Sequence, residues 1–144
     1  MSRSVSLVLM SAATAALLLV ISITNGLIGH NVQSIKIITV QVPMVGTNQQ
    51  KVEAFVNELM TKRQANCLLW IFTKESHINP NAKNPSSSAK GIGQLLDSTY
   101  KTIGLKHSAD PIAQVVASIA YISRHYGSDG ACAAKAFWLR HSYY

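Results

Sequence analysis

The sequence predicts a nearly all-α fold: one apolar helix able to cross a membrane, then a small domain of five short helices. Two observations predict it. From Thr47 onward, apolar residues recur three and four apart between caps and stops, the pattern of helices with one buried face. Before that, Val5 to Ile23 is apolar all round, with Ser and Thr as its only interruptions, the pattern of a helix with no polar face.

The chain opens with a small positive head, Met1-Ser2-Arg3-Ser4, and no formal charge follows until Lys36. The apolar run, about 19 residues at about 1.5 Å each, is close to the roughly 30 Å hydrocarbon thickness of a bilayer. It reads as a signal peptide or a signal anchor. No small-x-small cleavage site closes it, which favours an uncleaved anchor over residues 1–30. Arg3 keeps the N-terminus cytoplasmic and places the rest outside the cytoplasm, in the cell envelope. Residues 31–46 are a connector. Within it Ser34 to Val42 is β-branched with partial alternation, compatible with a short strand or an extended tether.

Residues 47–144 form the folded domain. Thr47-Asn48-Gln49-Gln50 resembles a capping box. Val52, Phe55, Val56, Leu59 and Met60 then mark an amphipathic helix to about Arg63. A second helix starts near Asn66 and runs into Glu75. A short helix, Leu95 to Ile103, is stopped by Gly104. Asp110-Pro111 is an N-cap followed by proline at the first helical position. It opens a helix carrying Ile112, Val115, Val116, Ile119, Ala120 and Ile122, ended by Gly127. The last helix covers Ala131 to about His141.

The chain has 13 Lys+Arg against 6 Asp+Glu, a net charge of +7. A basic surface suits an anionic partner such as nucleic acid, anionic lipid or an anionic wall polymer. The basic residues are scattered, without a basic-aromatic stripe, so nucleic acid is not expected.

Six acids leave few candidates for acid-base chemistry. Glu53 and Glu58 fall on the polar face of an amphipathic helix. Asp110 is a cap, Asp129 lies in a Gly-rich turn, and Asp97 lies early in a short helix. Glu75 alone ends a strongly apolar run, Cys67-Leu68-Leu69-Trp70-Ile71-Phe72. Leu68, Ile71 and Phe72 precede it by seven, four and three residues and so share its helix face. Desolvation on that face raises a carboxyl pKa, as a general acid needs near neutral pH. The polar, turn-forming stretch from Asn79 to Ser88 follows, so the carboxyl points from a core towards a wet loop. The plainer alternative is a helix-end glutamate turned to solvent.

Cys67 and Cys132 each begin a helix. Two buried free thiols are one reading. After export a bond between them is allowed, and in an oxidising compartment we expect it. Two cysteines without paired histidine spacing do not make a zinc site. No metal or cofactor is expected.

Glu75-Ser76-His77-Ile78-Asn79-Pro80-Asn81-Ala82, followed by Asn84-Pro85-Ser86-Ser87-Ser88-Ala89-Lys90-Gly91-Ile92-Gly93-Gln94, resembles the lysozyme-like lytic transglycosylases. That family reads Glu-Ser, x-Pro-x-Ala, then Gly-x-x-Gln. The small actinobacterial and phage branch looks most similar, through the Asn-Pro-Ser-Ser loop, Asp110-Pro111 with Gln114, Tyr121-Ile122, Arg124-His125-Tyr126-Gly127 and a closing segment from Ala136 to Tyr144. The resemblance covers roughly residues 64 to 144. It implies a lysozyme-like helical domain, peptidoglycan glycan strands as partner, and Glu75 as the catalytic acid and base. Ser76 would orient Glu75, Gln94 and Tyr121 would line the sugar cleft, and Tyr144 would serve in packing or sugar contact. Two departures stand out. His77-Ile78 replaces the usual Gly-aromatic pair, and Ala136-Phe137-Trp138 stands near where other branches carry Ala-Tyr-Asn.

The implied activity is cleavage between N-acetylmuramic acid (MurNAc) and N-acetylglucosamine (GlcNAc) with 1,6-anhydro products. A hydrolytic muramidase, a non-catalytic wall-binding module and a membrane-disrupting helix are the competing readings.

Overall fold

The computed structural model describes residues 4–8, 16–22, 37–41 and 45–144. The chain divides into two units, Met1–Met44 and Val45–Tyr144.

In the first unit, β1 (Ser4–Val8), β2 (Ala16–Ser22) and β3 (Ile37–Gln41) form an antiparallel sheet in the order β1-β2-β3. Val5 pairs with Ile21, and Leu18 with Thr39. The expected membrane helix over Val5–Ile23 is therefore corrected: its described residues are two paired strands. Among the described residues no helix is long and apolar enough to cross a membrane. The physical reason is that an unbroken apolar run carries no period, so it does not separate helix from strand. Val5, Val8, Val20 and Ile21 are β-branched and fit a pleated strand. Residues 9–15 and 23 of the run lie outside the described residues. In the connector, Ile37–Gln41 is strand rather than tether.

The second unit is helical. α1 (Asn48–Leu59) opens on the expected capping box: Gln50 N donates to Thr47 Oγ1 at 3.2 Å and Thr47 N to Gln50 Oε1 at 2.8 Å. It buries Val52, Phe55 and Val56. It stops at Leu59, short of the expected Arg63, because Met60 is extended and Thr61 starts a new helix. α2 (Lys62–Ser76) is capped by Thr61 Oγ1, which accepts from Gln64 N, and so begins four residues before Asn66. Ala65, Leu68, Ile71 and Phe72 are its buried face. α3 (Asp97–Ile103) ends at Gly104, whose φ of 74° is the left-handed stop a glycine supplies. α4 (Pro111–His125) is capped by Asp110, accepting from Ala113 N at 2.8 Å, and runs through the core on Val115, Val116 and Ile122. A short 3₁₀ turn, Gly127–Asp129, leads into α5 (Gly130–His141).

α2 and α5 are joined by a disulfide between Cys67 and Cys132, with Cα atoms 5.0 Å apart. The expected bond is present. Gln64 adds a second tie near the start of both helices. Its Nε2 donates to Asp129 O at 2.8 Å and its Oε1 accepts from Ala131 N at 2.9 Å. The Arg63–Asp129 ion pair beside it is solvent-exposed and adds little.

Candidate active site

Glu75 sits in the last turn of α2, above the fully buried Leu68, Ile71 and Phe72. The chain must turn sharply after it. His77 takes the left-handed conformation at the helix end (φ 54°), and Ile78 follows at φ 59°. Ile78 N bonds back to Phe72 O at 3.3 Å while its side chain is buried. A branched residue in that region is strained, and burial of Ile78 holds it there. The family's usual glycine at position 77 fits the same turn without a Cβ penalty. His77→Gly is therefore expected to raise stability by about 0.5–1 kcal/mol, the relieved strain being partly offset by a freer unfolded chain. Denaturant melts check this; a lower midpoint counts against the strain.

Ser76 does not touch the Glu75 carboxylate. Its hydroxyl donates to Ile92 O at 2.7 Å and accepts from Asn79 N at 3.2 Å, so it fastens the end of α2 to the Gly91–Gln94 turn. Gln114, buried in α4, holds that turn from below. Its Oε1 accepts from Ile92 N at 2.8 Å, and its Nε2 donates to Pro80 O at 3.0 Å and Ser108 O at 2.9 Å. A Cβ on Gly93 would run into Ser118 Oγ and the Tyr144 hydroxyl, which explains a glycine there.

A cleft of about 500 Å³ opens beside Glu75, lined also by Gln94, Leu96, Tyr121, Tyr143 and Tyr144. The structure thus brings four of the sequence candidates, Glu75, Gln94, Tyr121 and Tyr144, to one cleft, with Ser76 behind it. Gln94 is left-handed (φ 48°), and its Nε2 donates to Gly91 O at 2.9 Å, so its amide nitrogen is occupied with the turn. Tyr121 is half-buried and packs on His125 with ring centroids 4.3 Å apart. Tyr144 is a packing residue: it is buried, and its hydroxyl donates to Gly93 O at 2.9 Å. Burial pushes its pKa far up, keeping it a neutral donor.

Burial raises the Glu75 pKa, partly opposed by a hydrogen bond from Trp138. Trp138 Nε1 donates to Glu75 Oε1 at 2.7 Å. The sequence reading did not assign this residue. Its signal was position: Trp138 closes the Ala136-Phe137-Trp138 segment, where other branches of the resembled family carry Ala-Tyr-Asn. An indole has one donor and no acceptor, so it fixes Oε1 and leaves Oε2 to carry the proton. Asp97, the other acid close in sequence, is exposed and paired with Lys90 Nζ at 2.6 Å. Among the described residues, Glu75 is the one side-chain carboxylate lining the cleft.

Trp138→Phe keeps the ring and removes the donor. Because that bond favours the ionised form, the Glu75 pKa should rise further, moving the alkaline limb of the rate profile to higher pH. The rate should fall about tenfold for loss of a charge-assisted bond. An unshifted limb would reduce Trp138 to packing.

No curated protein and no solved structure matches the chain. The Transglycosylase SLT domain family matches residues 54–137, a span holding Glu75, Ser76, Gln94 and Tyr121 and ending one residue before Trp138. Since that span is more than half of the chain, the protein belongs to the transglycosylase SLT domain family, the lytic transglycosylases.

Proposed function

We propose that the protein cleaves the β-1,4 bond between MurNAc and GlcNAc in peptidoglycan, with Glu75 as its single acid and base, leaving 1,6-anhydro-MurNAc ends. One observation carries the reading: a half-buried carboxyl with a raised pKa faces a cleft that contains no second side-chain carboxylate among the described residues. Glu75 Oε2 gives its proton to the glycosidic oxygen as the muramic C1–O bond breaks. The resulting carboxylate then takes the proton of the muramic C6 hydroxyl, whose oxygen closes on C1. The second step uses the charge created in the first, so no other acid and no attacking water is required.

A hydrolytic muramidase is the second reading. It places a second carboxyl about 5–9.5 Å from the first, across the bond, and the exposed, lysine-paired Asp97 is a poor fit for that role. A non-catalytic wall-binding module leaves the desolvated Glu75 without a purpose. Mass spectrometry of digested peptidoglycan decides among the three. Anhydro ends, one water lighter than hydrolysis products, are expected. Reducing ends would make the protein a muramidase, and uncleaved strands a binding module.

The site of action in this reading is the cell envelope outside the cytoplasm. The Cys67–Cys132 bond supports it, since such bonds persist in oxidising compartments. On fractionation of intact cells the domain should be recovered outside the cytoplasmic membrane; recovery from the cytoplasm would count against this reading.

A further inference from the structure

α2 and α5 run in the same direction, because their partners rise together: Cys67 with Cys132, Trp70 with Lys135, and Glu75 with Trp138. That register builds a second group of residues on the far side of Trp138 from Glu75. Trp70 and Lys74, four apart, share a face of α2. The Lys74 ammonium lies 5.6 Å from the Trp70 ring centroid, and the Lys135 ammonium, from α5, lies 4.8 Å from it. Trp70 meets Trp138 edge-on with centroids 5.1 Å apart. Trp138 is thus shared: its ring packs on the lysine-bearing indole and its N–H holds Glu75.

Each ammonium is attracted to the ring face, yet two like charges on one ring repel. Among the described residues neither lysine has a carboxylate within ion-pair distance, while Lys90 and Arg63 have theirs. Two positive charges held together without an anion form a surface complementary to one. Neutral sugar rings have no use for it.

Resting on the reading of Glu75 as a muramic-acid glycosidase, we infer that Trp70, Lys74 and Lys135 bind a carboxylate of the acidic peptide carried by the MurNAc residue in the cleft. The lactyl side arm of MurNAc links that peptide close to the bond being cleaved. Trp138 links the cleft to the patch, holding Glu75 by its N–H and packing on Trp70, so a peptide that leaves the cleft past Trp138 meets the two ammoniums. The patch makes the enzyme favour strands that keep their peptides over strands that have lost them. It acts on substrate binding and leaves the proton transfers alone.

The test uses the full chain with two substrates: peptide-bearing glycan strands, and the same strands stripped of peptide by an amidase. Wild-type protein should show the lower KM on peptide-bearing strands. Lys74→Gln with Lys135→Gln should raise that KM about threefold to tenfold, the loss of two exposed charge contacts. Its kcat, and its KM on stripped strands, should not change. The wild-type preference should shrink as salt is added. Equal KM values for the two substrates with wild-type protein, or an unaltered preference in the double variant, would overturn the inference. So would a preference that tracks a wall phosphodiester polymer rather than the peptide. If no strand is cleaved at all, the glycosidase reading fails first. Calorimetric binding of the same two strands to Glu75→Gln protein, with and without the lysine changes, then still decides the patch.

Discussion

Glu75→Gln should abolish wall cleavage while leaving the domain folded. The amide keeps the size of the side chain, and its oxygen still accepts from Trp138 Nε1, but it has no proton to give the leaving oxygen. Positioned acid-base catalysis contributes about 10²–10⁴-fold, and in the proposed mechanism one group serves both steps, so the loss should be at least that large. Stability should not suffer. The Glu75 pKa is raised in the folded protein, so the folded state binds the proton more tightly than the unfolded chain. Stability is then lost as pH rises from the unfolded carboxyl value through the raised one. Glutamine is spared that loss, so the variant should match wild type in acid and equal or exceed it at neutral pH. Asp97→Asn is the control: it breaks an exposed pair with Lys90 and should retain most activity. Turnover of intact walls measures both. Wild-type rates from Glu75→Gln would remove the site, and an inactive Asp97→Asn with reducing ends would require two carboxylates.

Removing the disulfide should have the largest effect on stability. Cys67 and Cys132 are 65 residues apart in sequence. Cross-linking a loop of that length restricts the unfolded chain by about 4 kcal/mol in the chain-entropy treatment. A domain of this size has only about 5–15 kcal/mol in total. The double change to alanine should therefore lower Tm by roughly 15–30 °C, and reductant should do the same to the wild type. Calorimetry with and without reductant checks it. A shift of only a few degrees would mean that Gln64 and apolar packing already hold α2 and α5 together.

The helical domain was largely legible because its boundaries are written locally. Thr47 with Gln50, Asp110 with Pro111, and Gly104 each settle a helix end within a few residues. The break between α1 and α2 is equally local but masked: Thr61 and Gln64 repeat the Thr47–Gln50 spacing, yet apolar Leu59 and Met60 extend the apolar period of the first helix. The run from Val5 to Ile23 misled for the opposite reason, having much hydrophobicity and no period. At the site, Glu75 stood out through Leu68, Ile71 and Phe72 on its own helix. Trp138 did not, since its partner is 63 residues away and no local pattern announces such a pair. Ser76, which the resemblance gives the role of orienting Glu75, holds Ile92 instead, because the chain reverses at His77 and Ile78 and carries the Ser76 hydroxyl to the turn.

The hydrogen bond between Trp138 and Glu75 also orders events in time. Everything beneath the carboxyl in α2 is synthesised before α5, since chains emerge from their N-terminal end at about 5–20 residues per second. Contacts between distant parts of a chain form slowly because a long loop must close first. The acid therefore acquires its orienting partner only once α5 has docked against α2. On refolding from denaturant, activity should return with the burial of Trp138 and no earlier, however soon the helices themselves reappear.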